Sequence, residues 1–251
     1  KSGKTLQCVF PGTGKVGGSV PACDATDVDI AVQSARKTFE AGHWSRMAPQ
    51  DRRKVLLKFS ELILKHRDEL AMLETINVGK PITNSTNGDI PSAASCIAWF
   101  GEAIDKIYGE VGPTGPDMTA IVTREPVGVV AAVVPWNYPL SMAAWKLGPA
   151  LAAGNSVILK PAEQSPSTAL RIATLAMEAG LPEGALNVLS GSTVAIALAV
   201  DRPADARRSG APGPGFVVRA VAGADIGHEL AGLAGVVASL ARPRRSPAVE
   251  S

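Results

Sequence analysis

The sequence has few cysteines, few aromatic residues, little net charge and no long apolar run, and each shortage excludes a class of protein. The three cysteines, Cys8, Cys23 and Cys96, are too scattered for a disulfide framework or a metal cluster, so we expect a reducing, cytoplasmic compartment. A net charge of +2 provides no basic surface for nucleic acid or anionic lipid. No stretch approaches the ~18 consecutive apolar residues of a membrane helix. We therefore expect neither nucleic acid nor a membrane as a partner.

The composition is that of a globular protein, with 46% hydrophobic and 19% charged residues, and it changes along the chain. Residues 1–125 are predicted to be mainly helical, and residues 126–191 to alternate strand and helix. From Asp201 onward, 30 of the 51 residues are Ala, Gly, Pro or Arg, a bias typical of loop-rich segments. We therefore expect residues 192–251 to form a divergent, poorly ordered tail. Because the sequence opens at Lys1 rather than Met, we also expect the natural chain to begin earlier.

Apolar spacing predicts three helices and a strand in the first region. Thr26 and Asp29 resemble a capping box, and an apolar face at helical spacing follows them: Val28, Ala31, Val32, Ala35 and Phe39. A longer helix is predicted from Pro49 to a stop signal at residues 79–81. A third helix is predicted over roughly 90–107, and a strand over 118–124.

The second region predicts a strand–helix–strand–helix–strand unit. Three short apolar runs, at residues 127–134, 156–159 and 186–189, read as buried parallel strands. The helix after the first strand begins near Pro139 and is predicted to be interrupted at residues 148–149, Gly-Pro. The next helix is predicted to have Ser165 as its N-cap, Pro166 at its first position, and an inner face of Leu170, Ala173, Ala176 and Met177. Such a unit implies parallel pairing with right-handed crossovers.

A glycine-rich motif near the start imitates a dinucleotide-binding loop. Residues 12–17, Gly-Thr-Gly-Lys-Val-Gly, match the spacing G-x-G-x-x-G, which marks a phosphate site only between a strand and a helix. Residues 18–21, Gly-Ser-Val-Pro, cannot open a helix. We therefore predict a hairpin turn here.

Polar residues follow the first two predicted parallel strands, where ligands gather in open parallel sheets. The amide of Asn137 suits a developing oxyanion, although from the residues alone a helix cap is the favoured role. Lys160 and Glu163 suit the vicinal hydroxyls of a ribose, although a solvated ion pair is the more common outcome. Lys146 either extends to the surface or lies near the same edge.

The cysteines and histidines form no predicted catalytic pair. Cys96 lies on an apolar helical face and is interpreted as part of the core. No cysteine has a neighbouring base or a cation-rich surrounding that would lower its pKa. His43, His66 and His228 follow no pairing pattern.

Five segments together resemble the aldehyde dehydrogenase superfamily, in the same order. They are Arg-Glu-Pro-Val-Gly-Val at 124–129, Pro-Trp-Asn-Tyr-Pro at 135–139, Trp-Lys-Leu-Gly-Pro-Ala-Leu-Ala-Ala-Gly-Asn at 145–155, Lys-Pro-Ala-Glu at 160–163 and Ala-Gly-Leu-Pro at 179–182. The resemblance is specific and covers residues 1–191. Residues 103–110 look most like enzymes that oxidise γ-glutamylamino-butyraldehyde and related amino-aldehydes.

The resemblance implies a fold and assigns a role to each candidate residue. The fold is α/β, an incomplete Rossmann-like parallel sheet preceded by helices, with residues 109–125 forming part of a β segment used for homo-oligomerisation. Asn137 is implied to be the oxyanion amide, and Lys146 a charge-relay lysine. The residues implied to line the cofactor cleft are Val134, Pro135, Trp136, Lys160, Pro161, Ala162 and Glu163. Among these, Lys160 and Glu163 are implied to hold the adenosine ribose, and Glu163 to favour NAD over NADP.

The sequence departs from the family pattern after Gly191. The glycine-rich segment that meets the pyrophosphate, the Glu-Leu-Gly-Gly-type segment that carries the general base, and the segment that carries the nucleophilic cysteine are all missing; no cysteine follows Cys96. We therefore expect the catalytic domain to be absent and the chain to be inactive alone. The alternatives are a non-catalytic nucleotide-binding fragment and a non-functional truncation product.

Overall fold

The computed structural model describes residues 3–191, so the predicted tail lies outside the described residues. The elements in chain order are β1 (Thr5–Phe10), β2 (Lys15–Pro21), α1 (Ala25–Ala41), α2 (Pro49–Lys65), α3 (Arg67–Val78), the one-turn α4 (Ile82–Asn84), a π-helical turn (Ser85–Asp89), α5 (Ile90–Ala103), a 3₁₀ turn (Ile104–Lys106), β3 (Glu110–Gly112), β4 (Ala120–Val122), β5 (Val129–Val133), α6 (Pro139–Ala152), β6 (Ser156–Lys160), α7 (Ser167–Ala179) and β7 (Leu186–Val188).

The glycine-rich motif forms a hairpin turn, as predicted. Strands β1 and β2 pair antiparallel. The N–H groups of Thr13 and Gly14 both donate to the carbonyl of Phe10, at 3.2 and 2.8 Å. Gly14 has a φ of +69°, a left-handed conformation that glycine adopts without steric cost. The segment is therefore a turn between strands rather than a phosphate loop.

The N-cap of helix α1 lies two residues earlier than predicted. The prediction of Thr26 as cap is wrong, because Asp24 is the N-cap and forms a reciprocal capping box with Asp27. An Asp24 side-chain oxygen accepts from the N–H of Thr26 at 2.9 Å. The predicted apolar face is otherwise correct in its centre, since Val28, Ala31 and Ala35 are buried.

The long second helix of the prediction is two helices, α2 and α3, which meet at His66. An unbroken helix over residues 49–78 would extend about 45 Å, at 1.5 Å per residue. The change of direction at His66 lets Leu56 and Phe59 of α2 share one core with Leu70 of α3. The predicted stop is correct, because Gly79 ends α3 with a φ of +78°.

The parallel unit has the predicted topology. Strands β5, β6 and β7 form a three-stranded sheet in that order, with both pairings parallel. All five residues of β6 are buried, as expected of a central strand covered on both faces. Helix α1 packs against one face through Val28, Ala31 and Ala35, while α6 and α7 belong to the larger core. The sheet lies between helical layers, as in a Rossmann-like α/β domain.

Two helix predictions in this unit are wrong. Helix α6 continues through Gly148 and Pro149 without interruption. At Gly148 a β-carbon would lie 2.5 Å from the Phe100 ring, so glycine there permits close packing against α5. Helix α7 starts at Ser167 with Pro166 as its cap residue, and Ser165 therefore does not cap it. Its inner face is also rotated from the prediction: the buried apolar residues are Ala169, Ile172, Leu175, Ala176 and Ala179, whereas Met177 is exposed.

The predicted strand near residue 120 is short and lies in a hairpin. Strand β4 pairs antiparallel with β3, with Val111 opposite Ile121. Both side chains are exposed, by 76% and 70%, so this hairpin presents apolar residues outward. Within residues 3–191, no helix is long and apolar enough to cross a membrane.

Candidate cofactor and oxyanion site

The carboxyl ends of β5 and β6 meet at one edge of the sheet. Val133 pairs with Lys160 in the parallel register, and the N–H of Val134 donates to the carbonyl of Lys160 at 3.0 Å. This pairing places the loop at 134–138 beside the loop at 160–163. The structure thus brings together the two groups of residues that the sequence predicted at strand ends, at the edge where ligands bind in open parallel sheets.

The loop after β5 turns from buried to exposed within three residues. Val134 is buried, Pro135 is half-buried and Trp136 is 53% exposed. Asn137 follows, and the N-cap of α6 is Tyr138, without a side-chain cap hydrogen bond. The interpretation of Asn137 as a helix cap is therefore wrong. Within the described part of the chain, the Asn137 side chain makes no hydrogen bond, so its amide is available to a ligand.

Asn137 lines an open cleft of about 710 Å³. Other polar side chains on its wall come from the segment between α3 and α5 and include Lys80, Asn84, Asn87 and Asp89. The wall also includes Tyr138, which is 48% exposed. A carbonyl that entered this cleft would meet the Asn137 amide beside a mixture of amide, ammonium and carboxylate groups.

Lys160 is the last residue of β6 and is only 2% exposed. Its Nζ donates to the carbonyl of Pro161 at 2.6 Å. Burial lowers the pKa of Lys160 to about 8, while the nearby Glu163 and Cys23 oppose that shift. The ammonium is therefore held at the sheet edge close to the Glu163 carboxylate.

Glu163 stands at the opening of a second cleft. Pro161 is buried, whereas Ala162 and Glu163 are half-buried. This cleft has a volume of about 450 Å³ and lies between the β1 hairpin and the loop after β6. Its lining consists of Leu6, Gln7, Val9, Pro11, Asn77, Glu163 and Gln164. The Glu163 carboxylate thus belongs to a cleft at the same edge that carries Lys160.

Lys146 lies about two turns into α6, on the helix that begins beside Asn137. The residue is half-buried. Partial burial lowers the pKa of its ammonium, which favours proton exchange more than a fully solvated lysine would. Within residues 3–191, no hydrogen bond or ion pair joins Lys146 to Asn137, so its relay role stays a prediction.

None of the thiols is activated. Cys8 is buried, and Cys23 and Cys96 are half-buried. Burial raises the pKa of all three thiols, and Asp27 raises that of Cys23 further. A raised pKa leaves little thiolate at neutral pH. Among residues 3–191, no group of His, Cys, Asp and Glu side chains is arranged to hold a metal ion.

Sequence reasoning missed a charged cluster behind Asn137. The sequence predicts Lys80 only as part of the helix stop signal at residues 79–81. In the structure its Nζ lies 2.7 Å from an Asp89 oxygen and 3.7 Å from an oxygen of the fully buried Glu74. The same Nζ lies 4.3 Å from the centre of the Tyr138 ring. These residues come from three separate segments, so no local sequence pattern announces their meeting.

Residues 1–206 match the sequence profile of the Aldehyde dehydrogenase family. The chain belongs to this family. The profile match continues to residue 206, whereas the resemblance in individual motifs ends at Gly191. Membership accounts for the sheet edge just described, with a cofactor-domain topology and polar residues at the ends of β5 and β6.

Three relatives illustrate the family match. The NADP/NAD-dependent aldehyde dehydrogenase PuuC of Escherichia coli is 53% identical over 188 residues, which cover 75% of this chain and 38% of PuuC. A crystal structure of indole-3-acetaldehyde dehydrogenase complexed with NAD⁺ is 54% identical, with a TM-score of 0.78, and the match covers 79% of this chain and 40% of that one. A γ-glutamyl-γ-aminobutyraldehyde dehydrogenase from Burkholderia cenocepacia is 55% identical, with a TM-score of 0.76 and coverages of 76% and 39%. The chain spans about two fifths of the length of these relatives.

Proposed function

We propose that this chain is the cofactor-binding part of an NAD-dependent aldehyde dehydrogenase, able to hold the dinucleotide without oxidising an aldehyde by itself. The observation that carries the proposal is the pairing of β5 with β6, which sets Asn137 and the Lys160–Glu163 loop on one edge of the sheet. The Asn137 amide suits an oxyanion, and the Lys160–Glu163 loop suits a ribose. The relatives that share this edge include one solved with NAD⁺.

Lys160 and Glu163 are the groups we assign to the adenosine ribose. An ammonium donates and a carboxylate accepts, so together they can bind both hydroxyls of a vicinal diol. A carboxylate at this point also repels the extra phosphate of NADP, which supports NAD as the preferred cofactor. Val134, Pro135 and Trp136 supply the neighbouring wall, with Pro161 and Ala162 connecting the two binding side chains.

Asn137 is the group we assign to the aldehyde oxygen. Its amide lines the larger cleft and has no intramolecular hydrogen-bond partner among residues 3–191. A preorganised amide donor stabilises the negative charge that develops on a carbonyl oxygen under attack. NAD, when bound, would supply the hydride acceptor, whereas none of the three thiols is suited to attack the aldehyde, because burial raises the pKa of each.

The aldehyde class we propose is an amino-aldehyde. The support is the sequence over residues 103–110 and the 55% identity to a γ-glutamyl-γ-aminobutyraldehyde dehydrogenase. We also propose that residues 109–125 belong to an oligomerisation segment, since its hairpin exposes Val111 and Ile121. Lys146 is proposed to exchange protons near the aldehyde, in keeping with its lowered pKa.

Loss of the Lys160 ammonium should weaken NAD binding by about tenfold or more, because hydrogen bonds to charged groups contribute roughly 1.5–3 kcal/mol. Isothermal titration calorimetry of the chain with NAD and with NADP measures this directly. Lys160→Met should lose affinity, and Glu163→Gln should lose the preference for NAD. The matched controls are Lys58→Met and Glu61→Gln, which change exposed residues on α2. Equal NAD affinity in Lys160→Met and in the unaltered chain would refute the ribose assignment.

The purified chain should produce no NADH from an aldehyde. We expect the absorbance at 340 nm to stay at the level of a protein-free blank when γ-aminobutyraldehyde and NAD are supplied at millimolar concentration. E. coli PuuC, an NADP/NAD-dependent aldehyde dehydrogenase, is assayed alongside as the positive control. Turnover that disappears in Asn137→Ala would contradict our view that this chain lacks a catalytic thiol, and would start a search among Cys8, Cys23 and Cys96.

Exposed apolar side chains favour a second candidate, a chain with no activity that self-associates. Large apolar residues exposed by half or more include Trp99, Ile107, Val111, Ile121 and Trp145. Exposed apolar surface of this kind promotes association. Light scattering during size-exclusion chromatography distinguishes the candidates, since a defined species that binds NAD supports the first and polydisperse aggregates that do not bind NAD support the second.

A further inference from the structure

Lys80 is held on two sides by carboxylates from different elements. It directly follows the left-handed Gly79 that ends α3. Its Nζ lies 2.7 Å from an Asp89 oxygen in the π-helical turn and 3.7 Å from an oxygen of Glu74, inside α3. Its side chain is only 14% exposed. The ammonium is therefore fixed in place rather than free to rotate in solvent.

The third side of Lys80 is the ring of Tyr138. The distance from Nζ to the ring centre is 4.3 Å, well within the range of a cation–π interaction. Tyr138 is the residue next to Asn137, and α6 starts directly after it. The Ser141 hydroxyl of α6 also donates to the Asp89 carbonyl, at 3.4 Å. The anchored ammonium thus contacts the loop that carries the proposed oxyanion amide.

Backbone hydrogen bonds hold the two ends of this loop: the N–H of Val134 donates to the carbonyl of Lys160 at 3.0 Å, and the N–H of Met142 donates to the carbonyl of Tyr138 at 2.9 Å. The Asn137 side chain makes no hydrogen bond within residues 3–191, and Tyr138 caps α6 without a side-chain hydrogen bond. Trp136 is 53% exposed. The Lys80–Tyr138 contact therefore adds a side-chain restraint on the residue next to Asn137.

We propose that Lys80 is a positioning residue for Asn137: the Asp89–Lys80 ion pair holds the Tyr138 ring, and the ring fixes the loop from which the amide projects. The inference rests on the proposed function only for the role of the amide. An oxyanion donor stabilises the transition state in proportion to how well it is preorganised. A loop that moved freely would lose that benefit although Asn137 itself were unchanged.

The test is backbone and side-chain ¹⁵N relaxation in the full chain, with the Asn137 amide assigned from its disappearance in Asn137→Asp. In the unaltered chain, residues 136–138 should have order parameters near ~0.85, typical of rigid backbone, and in Lys80→Met they should fall below about 0.6. Lys80→Arg keeps both the charge and the ring contact and should restore order. Lys58→Met is the matched lysine control and should leave the loop unchanged.

Variants of Tyr138 keep the test decisive if Lys80→Met does not fold. Tyr138 is 48% exposed, so its substitution disturbs little packing. Tyr138→Phe keeps the ring and should leave Asn137 ordered, whereas Tyr138→Leu removes the ring and should loosen Asn137 to the same extent as Lys80→Met. Unchanged order at Asn137 in Tyr138→Leu would overturn the proposal. Failure of NAD to bind, with the loop still loosened by these variants, would instead count against the proposed function alone.

Discussion

Replacement of Trp44 by alanine is expected to lower the free energy of unfolding by about 3–5 kcal/mol, as for other large aromatic truncations in cores. Trp44 lies between α1 and α2, is fully buried and belongs to the main core. Its Nε1 donates to the carbonyl of Leu151 near the end of α6, at 3.1 Å. Truncation therefore removes packing between the first helices and α6 together with this hydrogen bond, while the Leu151 carbonyl still accepts from the N–H of Gly154 at 2.9 Å.

Urea denaturation followed by circular dichroism measures this effect. The unfolding free energy of Trp44→Phe should lie between those of the unaltered chain and Trp44→Ala, because phenylalanine keeps most of the ring volume but lacks the N–H. The matched control is Trp99→Ala, since Trp99 is 64% exposed and its loss should cost under about 1 kcal/mol, as for most surface substitutions. Equal urea midpoints for Trp44→Ala and Trp99→Ala would show that Trp44 does not join the first helices to α6.

The second large effect concerns the buried Glu74. The pKa of Glu74 is raised from the ordinary 4.5 to about 7, chiefly by burial; Lys80 opposes this rise, and the nearby Asp89 carboxylate adds to it. Between these two pKa values the folded chain binds more protons than the unfolded chain. The stabilising contribution is therefore complete below about pH 4.5 and is lost as the pH rises through 7.

The expected loss is up to about 3 kcal/mol, since each pKa unit corresponds to about 1.4 kcal/mol. Glu74→Gln cannot titrate at this position. Relative to this variant, the unaltered chain should therefore lose about that much unfolding free energy as the pH rises from 4.5 to 8. Glu61→Gln, on the exposed side of α2, should have no such pH-dependent difference. A constant difference for Glu74→Gln across this range would mean that Glu74 stays ionised in the folded chain.

The parts of the fold that the sequence predicted are those fixed by local chemistry. Three apolar runs separated by glycine and proline signals identified the parallel unit, and the Gly-Ser-Val-Pro segment excluded a phosphate loop before β2. The failures had non-local causes. Nothing near His66 marks a break between α2 and α3. The glycine inside α6 also has a non-local reason, because Phe100 packs closely against Gly148.

For the candidate site too, local sequence patterns predicted some features, and contacts between separate segments determined the others. Strand ends placed Asn137 and Lys160 at one edge, since parallel strands share the edge at which they finish. From the residues alone, however, a helix cap was favoured for Asn137, and the structure places Tyr138 in that position instead. The contact of Lys80 with the Tyr138 ring depended on the meeting of the segment after α3 with the start of α6. A contact between segments so distant in sequence has no signature in one chain.

The most direct test of the central claim is the thermal melting of the full chain with and without millimolar NAD. If the edge formed by β5 and β6 binds the cofactor, the melting temperature should rise by a few degrees at a NAD concentration about ten times the dissociation constant, because the ligand then stabilises the folded state by roughly 1.4 kcal/mol. The rise should vanish in Lys160→Met. A cooperative transition at the same temperature with and without NAD would contradict cofactor binding, and the absence of any cooperative transition would contradict an independently folded cofactor-binding chain.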